Sequence, residues 1–241
     1  MEAFLGVLYL RALRRERRFR DRLDLLALTD QELMKHYRFP RHELIELIEE
    51  LVPQLRRRTR RTRAIPPHTQ VLLALRILAS GSFQHVIGDT TGPTQASVSR
   101  ILYDVVVALA NKAVQGVKMP ATEQHRRATA QDFARIRGFP RVIGTIDCTH
   151  IAIKAPSIDE HLYVNRKRYH SLNVQVVCNA RGLITSFCAR FPGDGGYPLM
   201  PFLMVPYKQP ETLSEHRFNK GHTSTRVVVE QAFGVLKLRF R

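Results

Sequence analysis

The sequence predicts an α/β protein, in which a helical first half precedes three strands and a closing helix. Apolar residues recur at helical spacing through much of the stretch before residue 138. β-Branched residues dominate three short runs after it, and helical spacing returns in the final segment. Strands followed by a helix that can cover their sheet form an α/β or α+β arrangement.

The first helices have recognisable starts and apolar faces. Thr29 and Glu32 have the spacing of a capping box ahead of the first helix. A further, strongly apolar helix is predicted after Pro66 and Pro67. Between them, the stretch RHELIELIEELVPQL places four apolar residues on one helical stripe, namely Leu44, Leu47, Ile48 and Leu51.

A helix-turn-helix is predicted next, with a short helix at Phe83–Asp89, a turn through Thr91 and Gly92, and a long helix from about Thr94. The long helix has an inward apolar face formed by Val98, Ile101, Leu102, Val105 and Leu109. A helix-turn-helix presents small polar and Arg side chains at the start of its second helix, because that end enters the major groove. The residues that fit this role are Thr94, Gln95, Ser97 and Arg100. A three-helix packing unit without DNA contacts is the alternative interpretation.

The residue pattern of the chain changes from helix-like to strand-like after Gly138. Arg141–Ala155 predicts a first strand, and two more strand-like runs are joined by a hairpin turn at Asn179–Gly182. The closing segment STRVVVEQAFGVLKLRFR predicts a helix whose buried side chains are Val227, Phe233 and Leu236.

Positive charge is the strongest signal in the composition. The 241-residue chain has 38 Lys and Arg against 21 acidic residues, which gives a formal net charge of +17. Such a balance points to a polyanionic partner, most often nucleic acid, although a merely basic protein is the alternative. A run at residues 56–63 that includes Arg56, Arg57 and Arg58 is expected to contact phosphates or to direct nuclear import, unless it is only a solvated charge run.

Other features exclude several classes of protein. No apolar run approaches the roughly 20 residues that cross a bilayer, and the first residues lack a signal-peptide pattern, so a soluble protein without a membrane partner is expected. The three cysteines lack CxxC spacing, which argues against a disulfide framework or a zinc knuckle and for a reducing compartment.

Three acidic residues occupy settings that are unusual for a charge. Asp147 lies in a strand-like run, where a carboxylate is costly unless it is paired or binds a metal. Asp194 lies in the turn PGDGG, and Glu230 follows three valines. Each has an ordinary explanation alone, as a loop cap, a turn residue and an exposed helix residue. Together, on a basic chain, they are better explained by one site.

Three converging carboxylates suit Mg²⁺ or Mn²⁺, which take oxygen ligands. Two such ions roughly 4 Å apart can activate a nucleophile and stabilise the leaving oxygen during attack on a phosphodiester. A basic loop, Asn165–Arg168, is expected beside this site, and its Arg166 and Lys167 could bind the phosphate backbone. Arg226 and Lys237, which flank Glu230 on its helix, could do the same.

Four motifs in order resemble the PIF/Harbinger DDE transposase superfamily, and within it the Harbinger transposase-derived nucleases of vertebrates. They are VIGTIDCTHIAIKAP, YVNRKRYHSLNVQVVCNARG, GDGGYPLMPFLM and VVVEQAFGVLKLRF. The resemblance implies a helical, helix-turn-helix-containing DNA-binding region at residues 1–137 and an RNase H-like DDE nuclease domain at residues 138–241. It also implies that Asp147, Asp194 and Glu230 are the catalytic metal ligands, with Mg²⁺ or Mn²⁺ as the cofactor.

The family further implies DNA and a Myb/SANT-like DNA-binding protein as partners, and the nucleus as the location, with the cytoplasm as a second compartment. Compared with the family, the stretch between Asp147 and Asp194 is short, as if the strand that carries the second Asp were deleted, and the chain stops early. The DDE domain is therefore expected to be incomplete. Two functions stay open: a metal-dependent DNA endonuclease that does not transpose, and a DNA- or protein-binding module without catalysis.

Overall fold

The computed structural model describes residues 27–56, 64–193 and 203–240. The chain divides into two compact units, the first ending at Leu109 and the second running from Ala110 to Phe240. The predicted mixed α/β class is confirmed, with helices first and a three-stranded sheet after them. The predicted boundary at residues 137 and 138, which separates a DNA-binding region from a nuclease domain, stays a prediction.

The described helices are α1 (Asp30–Tyr37), α2 (Arg41–Leu55), α3 (Pro67–Ser80), α4 (Gln84–Thr91), α5 (Gln95–Gly116), α6 (Glu123–Arg137) and α7 (Leu213–Arg239). The strands are β1 (Thr145–Ala152), β2 (Ser171–Cys178) and β3 (Ile184–Pro192), and a short 3₁₀ helix covers Glu160–Tyr163. Helix α6 was not specified from the sequence. None of these described helices is long and apolar enough to span a bilayer.

The first unit is an all-helical bundle around one apolar core. The capping box of α1 is confirmed, since the Thr29 hydroxyl accepts from the Glu32 amide at 3.3 Å and the Glu32 carboxylate accepts from the Thr29 amide at 2.8 Å. Both observed contacts satisfy amides that the helix itself leaves without partners. The core is built from the inward stripes of the helices, including Leu33, Leu44, Leu51, Val71 and Ile101.

The two helices predicted around residues 83–110 are confirmed as α4 and α5. Gly92 ends α4 with a φ of 97°, a conformation that glycine adopts without strain. A Cβ at Gly88 would lie 2.6 Å from the Pro93 carbonyl oxygen, so the turn passes too close to α4 for any side chain there. The predicted inward face of α5 is correct, with Val98, Ile101 and Val105 buried.

The second unit contains an antiparallel sheet with the order β1-β2-β3. The predicted hairpin turn between β2 and β3 is confirmed. The Asn179 side-chain oxygen accepts from the amides of Arg181 and Leu183, each at 3.0 Å, and Gly182 has a φ of 75°. None of the three cysteines forms a disulfide. Burial raises the pKa of the Cys178 thiol, so this residue behaves as a small apolar side chain.

Helix α7 covers β1 and β2 and closes the core of the sheet. Val229 and Phe233 pack against Val176 and Cys178 of β2. Thr225, Val229 and Phe233 are buried at intervals of one turn and define the inward face.

The predicted burial of Phe233 is correct, but that of Val227 and Leu236 is wrong, since they are 36% and 39% exposed. Val227 points away from the stripe of Thr225, Val229 and Phe233, whereas Leu236 is on that side of the helix but follows Phe233, the last residue of α7 in the buried cluster.

The start of α7 is held by a second, aromatic cluster. Phe133 of α6, Phe139 and Val142 are buried together, and Phe218 of α7 packs against them. A Cβ at Gly221 would lie 2.8 Å from the Phe139 ring, so this glycine lets α7 approach the cluster. The helix is therefore fixed by apolar contacts along most of its buried side.

Replacing Phe233 with Ala removes the largest side chain that fixes α7 to the sheet. We expect the free energy of unfolding, measured by urea denaturation, to fall by about 3–5 kcal/mol because a cavity replaces the ring. The matched variant Leu238→Ala changes a residue of the same helix that is 83% exposed. It should alter stability by no more than about 0.5 kcal/mol. Similar effects of the two variants would contradict the described packing.

Candidate active site

Asp147 lies in the middle of β1, on the face of the sheet that α7 covers. It is paired with Val176 in the register of β1 and β2, and Val176 is buried under the helix. Alternate residues of a strand point to the same face, so Thr145 and Thr149, both buried, share this side with Asp147. The Asp147 side chain is 22% exposed, and its Oδ1 accepts from the Cys148 amide at 2.9 Å. A strand carboxylate is thus placed under a helix, at the edge of an apolar core.

Glu230 of α7 is linked to Asp147 through the side chain of Arg226. Arg226 lies one helical turn before Glu230, and its Nη2 donates to both carboxylate oxygens of Asp147 at 3.1 Å. Its Nε lies 3.5 Å from Glu230 Oε1. One guanidinium therefore contacts two carboxylates that come from elements far apart in the sequence. Asp147 and Glu230 thus contact the same side chain, and their predicted role as metal ligands stays a prediction.

The charges at this point favour a cation. Two carboxylates against one guanidinium leave a formal excess of one negative charge in a chain that is strongly basic as a whole. The Asp147 carboxylate is the less exposed of the two acids, since the Glu230 side chain is 53% exposed. Oxygen donors of this type are the ligands that Mg²⁺ and Mn²⁺ prefer. Within the described ranges, however, no group of three or more His, Cys, Asp or Glu side chains is close enough to hold a metal.

Asp194 lies outside the described residues, so its predicted convergence with the other two acids stays a prediction. Gly193, directly before it, is described: its amide donates to the Ser171 carbonyl at 3.2 Å. Ser171 and Val176 are five residues apart on β2, which corresponds to about 17 Å at the usual rise of a strand. Val176 is the residue that pairs with Asp147. Gly193 has a φ of 59°, and a Cβ added to it would lie 2.6 Å from the Leu162 carbonyl oxygen, so this position admits no larger residue.

The predicted basic loop is a rigid turn with exposed cations. Asn165 is buried, and its side-chain oxygen accepts from the Lys167 amide at 2.9 Å while its amide group donates to the Ser171 hydroxyl at 2.9 Å. The side chains of Arg166 and Lys167 are exposed. The sequence gives no signal for the role of Asn165, because the burial of one polar side chain cannot be read from a polar stretch. DNA binding by this loop stays a prediction.

The other predicted DNA-binding residues belong to the first unit. Thr94 precedes α5, Gln95 and Arg100 are exposed on its first turns, and Ser97 is half-buried. Arg56 is exposed at the end of α2, whereas Arg57 and Arg58 lie outside the described residues. The predicted exposure of α5 at its start is therefore confirmed, and its contact with DNA is not tested by the fold.

The two basic residues beside Glu230 differ in their surroundings. Arg226 faces Asp147, and Lys237 lies over the Phe233 ring with its Nζ 5.9 Å from the ring centre. From the sequence, Arg226 is predicted only as a phosphate contact. The signal for its second role was its position four residues before Glu230, which places both side chains on one side of the helix.

Residues 146–194 and 192–241 match the sequence profile of the DDE superfamily endonuclease family. The family match thus defines the class: a DDE superfamily endonuclease domain that follows a helical unit along the chain.

The chain is 39% identical to a human protein named "Putative nuclease HARBI1" over 250 residues, which cover 92% of this chain and 72% of the human protein. The Xenopus laevis protein of the same name is 37% identical with the same coverage. On this evidence the chain belongs to the family of Harbinger transposase-derived HARBI1 nucleases. An Arabidopsis thaliana relative, "Protein ALP1-like", is 25% identical over 71% of this chain and 53% of that protein. No solved structure shows a significant match.

The family profile matches in two segments that meet at Pro192–Asp194. The junction that a deleted strand is predicted to leave lies at the same place in the sequence. The alignment with the human protein also extends over 250 residues while using 92% of a 241-residue chain, so that relative contains residues with no counterpart here. The predicted internal deletion of the nuclease domain stays a prediction.

A double-mutant cycle with Asp147→Asn and Arg226→Gln measures the pair that joins β1 to α7. We expect a coupling free energy of about 1 kcal/mol from urea denaturation, because the Asp147 carboxylate is largely shielded from water. The control is the exposed pair of Glu123 and Arg127 on α6, with Nε and Oε1 2.9 Å apart. Exposed pairs at this spacing couple by about 0.3–0.5 kcal/mol. A coupling at Asp147 no larger than the control would show that the two groups do not meet in solution.

Proposed function

We propose that this protein is a metal-dependent DNA endonuclease of the DDE type that hydrolyses phosphodiester bonds and does not transpose. The single observation that supports it most is the convergence of Asp147 and Glu230 on one cationic group. Its family relationship gives the reaction class, and its charge of +17 suits a nucleic-acid substrate.

The site's donor set fits the divalent cation that DDE superfamily endonucleases generally use. Asp147 and Glu230 would hold Mg²⁺ or Mn²⁺. Asp194 is proposed as the third ligand, which requires it to approach Asp147 far more closely than Gly193 does in this structure, where Gly193 is hydrogen-bonded to Ser171 at the other end of β2. When bound, such an ion supplies Lewis acidity and a nucleophile activated at neutral pH. The apolar packing beneath Asp147, from Val176 and Val229, fixes one ligand on a rigid strand.

Arg226 acts in this proposal as the internal counter-ion of the site. Its guanidinium already donates to both Asp147 oxygens, the atoms that a divalent ion would need. Because Arg226 is 46% exposed, its side chain can move into solvent or toward a DNA phosphate without leaving a buried charge behind. It thereby keeps two acids together while the ion is absent.

DNA contacts are proposed on both units. In the first unit, the start of α5 would enter the major groove through Gln95 and Arg100, as the second helix of a helix-turn-helix does. In the second unit, Arg166 and Lys167 would contact the phosphate backbone from a loop held by the buried Asn165. Phosphate contacts of this kind position the duplex, whereas base contacts select its sequence.

The second candidate function is a DNA- or protein-binding module that has lost catalysis. The observation that favours it is the junction at Pro192–Asp194, where the family profile is interrupted. Loss of a supporting strand would leave one ligand less rigidly placed, and a misplacement of about 1 Å can lower the rate roughly a hundredfold. We further propose the nucleus as the site of action and a Myb/SANT-like DNA-binding protein as a partner, as the family resemblance implies.

Incubating the purified chain with supercoiled plasmid and Mn²⁺ or Mg²⁺ tests the first function. We expect metal-dependent nicking that falls by at least about a hundredfold in Asp147→Asn and in Glu230→Gln. Glu123→Gln, which removes an exposed carboxylate of α6, should retain activity. Nicking that is equal in all four proteins would refute the site. No nicking by any protein, together with salt-sensitive DNA binding, would support the second function.

Competition between Arg226 and the metal gives a prediction that does not depend on cleavage. Arg226→Gln should raise the affinity for Mn²⁺ several-fold in calorimetric titrations, because the ion no longer displaces a guanidinium from Asp147. Arg217→Gln is the control, because it removes an exposed charge from the same helix, more than two helical turns before Arg226. An unchanged or weaker affinity in Arg226→Gln would show that the arginine does not compete with the ion.

A further inference from the structure

The first unit contains a cavity of about 160 Å³ where α1 ends beside α3 and α4. Its lining includes four basic residues, Lys35, His36, Arg38 and Arg76. No acidic residue is among the described residues that line it. The volume is about ten times the roughly 15 Å³ that one ordered water needs, so the cavity can hold a larger polar group.

Helix ends account for only part of this positive charge. α1 and α3 both end at the cavity, and each helix C-terminus carries roughly half a negative charge. Two such ends offset about one of the three full charges of Lys35, Arg38 and Arg76. The remaining charge of about +2 has no acidic partner in the lining, so it favours an anionic ligand.

Two of the basic groups carry signs of an unfilled polar site. The Nε–H of Arg38 is buried and has no hydrogen-bond partner in the part of the chain that the structure describes. A buried donor of this kind is costly unless a ligand or water accepts from it. Burial, followed by the charges of Arg76 and Lys35, lowers the pKa of His36, which leaves its ring neutral near pH 7 and able to donate one hydrogen bond. Arg76 is held in place by a hydrogen bond to the buried Tyr37 hydroxyl.

The position of the cavity indicates where its ligand comes from. Val86, Ile87 and Thr90 of α4 form one wall, and α4 is the first helix of the predicted helix-turn-helix. In that motif the first helix crosses the DNA backbone while the second enters the groove. We propose that the cavity binds one phosphate of the DNA backbone and so fixes the register of α5 on the duplex. This inference rests on the proposed action on DNA, although not on cleavage.

The test measures DNA binding by the full chain in EDTA, so that a failure of nuclease activity does not affect it. A duplex of random sequence is titrated by fluorescence anisotropy at several salt concentrations. We expect Lys35→Gln/Arg38→Gln to lower the slope of log affinity against log salt by about 1, the value for one lost phosphate contact, and to weaken binding several-fold. The control Lys118→Gln/Lys208→Gln removes two exposed charges outside the cavity and should keep the wild-type slope.

Further variants and melting measurements complete the test. Arg38→Lys keeps the charge and should keep the slope, and thermal melts establish that each variant is folded. If the double variant melts at a lower temperature than the wild type, the salt slope of Lys35→Gln alone is used to judge the proposal. This variant is expected to fold, because Lys35 is exposed and Gln is an equally good helix former. Inorganic phosphate, as a small ligand that competes with DNA for the cavity, should raise the melting temperature of the wild type more than that of the double variant.

Equal slopes in the cavity variant and the control would overturn the proposal, as would a wild-type chain that binds no DNA. If inorganic phosphate stabilises the protein and DNA does not compete with it, the cavity binds a small phosphorylated ligand. That result would overturn the DNA assignment.

Discussion

The packing of α7 on the sheet, through Val229 and Phe233 against Val176 and Cys178, is the contact on which the candidate site depends. Burial of a Val or Phe side chain contributes about 1.5–3 kcal/mol, whereas exposed ion pairs contribute about 0–1 kcal/mol. The apolar contacts therefore decide where α7 lies, and the charged groups follow. Glu230 is next to Val229 in the sequence, so the packing of the valine on β2 also places the Glu230 carboxylate beside Arg226, the side chain that contacts Asp147.

Much of this could be predicted from local sequence. The capping box at Thr29, the turn at Asn179–Gly182 and the paired helices α4 and α5 are set by short-range chemistry, and all appear in the structure. Asp147 and Glu230 could be selected because a charge inside an apolar run requires an explanation. Their meeting depends on tertiary packing, so their unusual settings on a basic chain suggest one site, and the family motifs support the same grouping independently.

The errors also have physical reasons. The run of three valines before Glu230 offers more than one apolar face, and the sequence alone shows neither that the sheet selects Val229 over Val227 nor that burial ends at Phe233, before Leu236. Helix α6 is not predicted from the sequence, because its composition is mostly polar and it packs mainly through Phe133. The long-range contact from Arg226 to Asp147 carries no local signal, because it joins a helix to a strand that precedes it by most of a domain.

The central claim is that Asp147 and Glu230 form one cation site. The most direct measurement is a crystal structure of the chain with Mn²⁺, using the anomalous signal of the metal to find it. The account predicts an anomalous peak within about 2.0–2.6 Å of oxygens from both carboxylates, with Arg226 turned away from Asp147. Carboxylates that stay bridged by Arg226 at saturating Mn²⁺, with no metal between them, would contradict it.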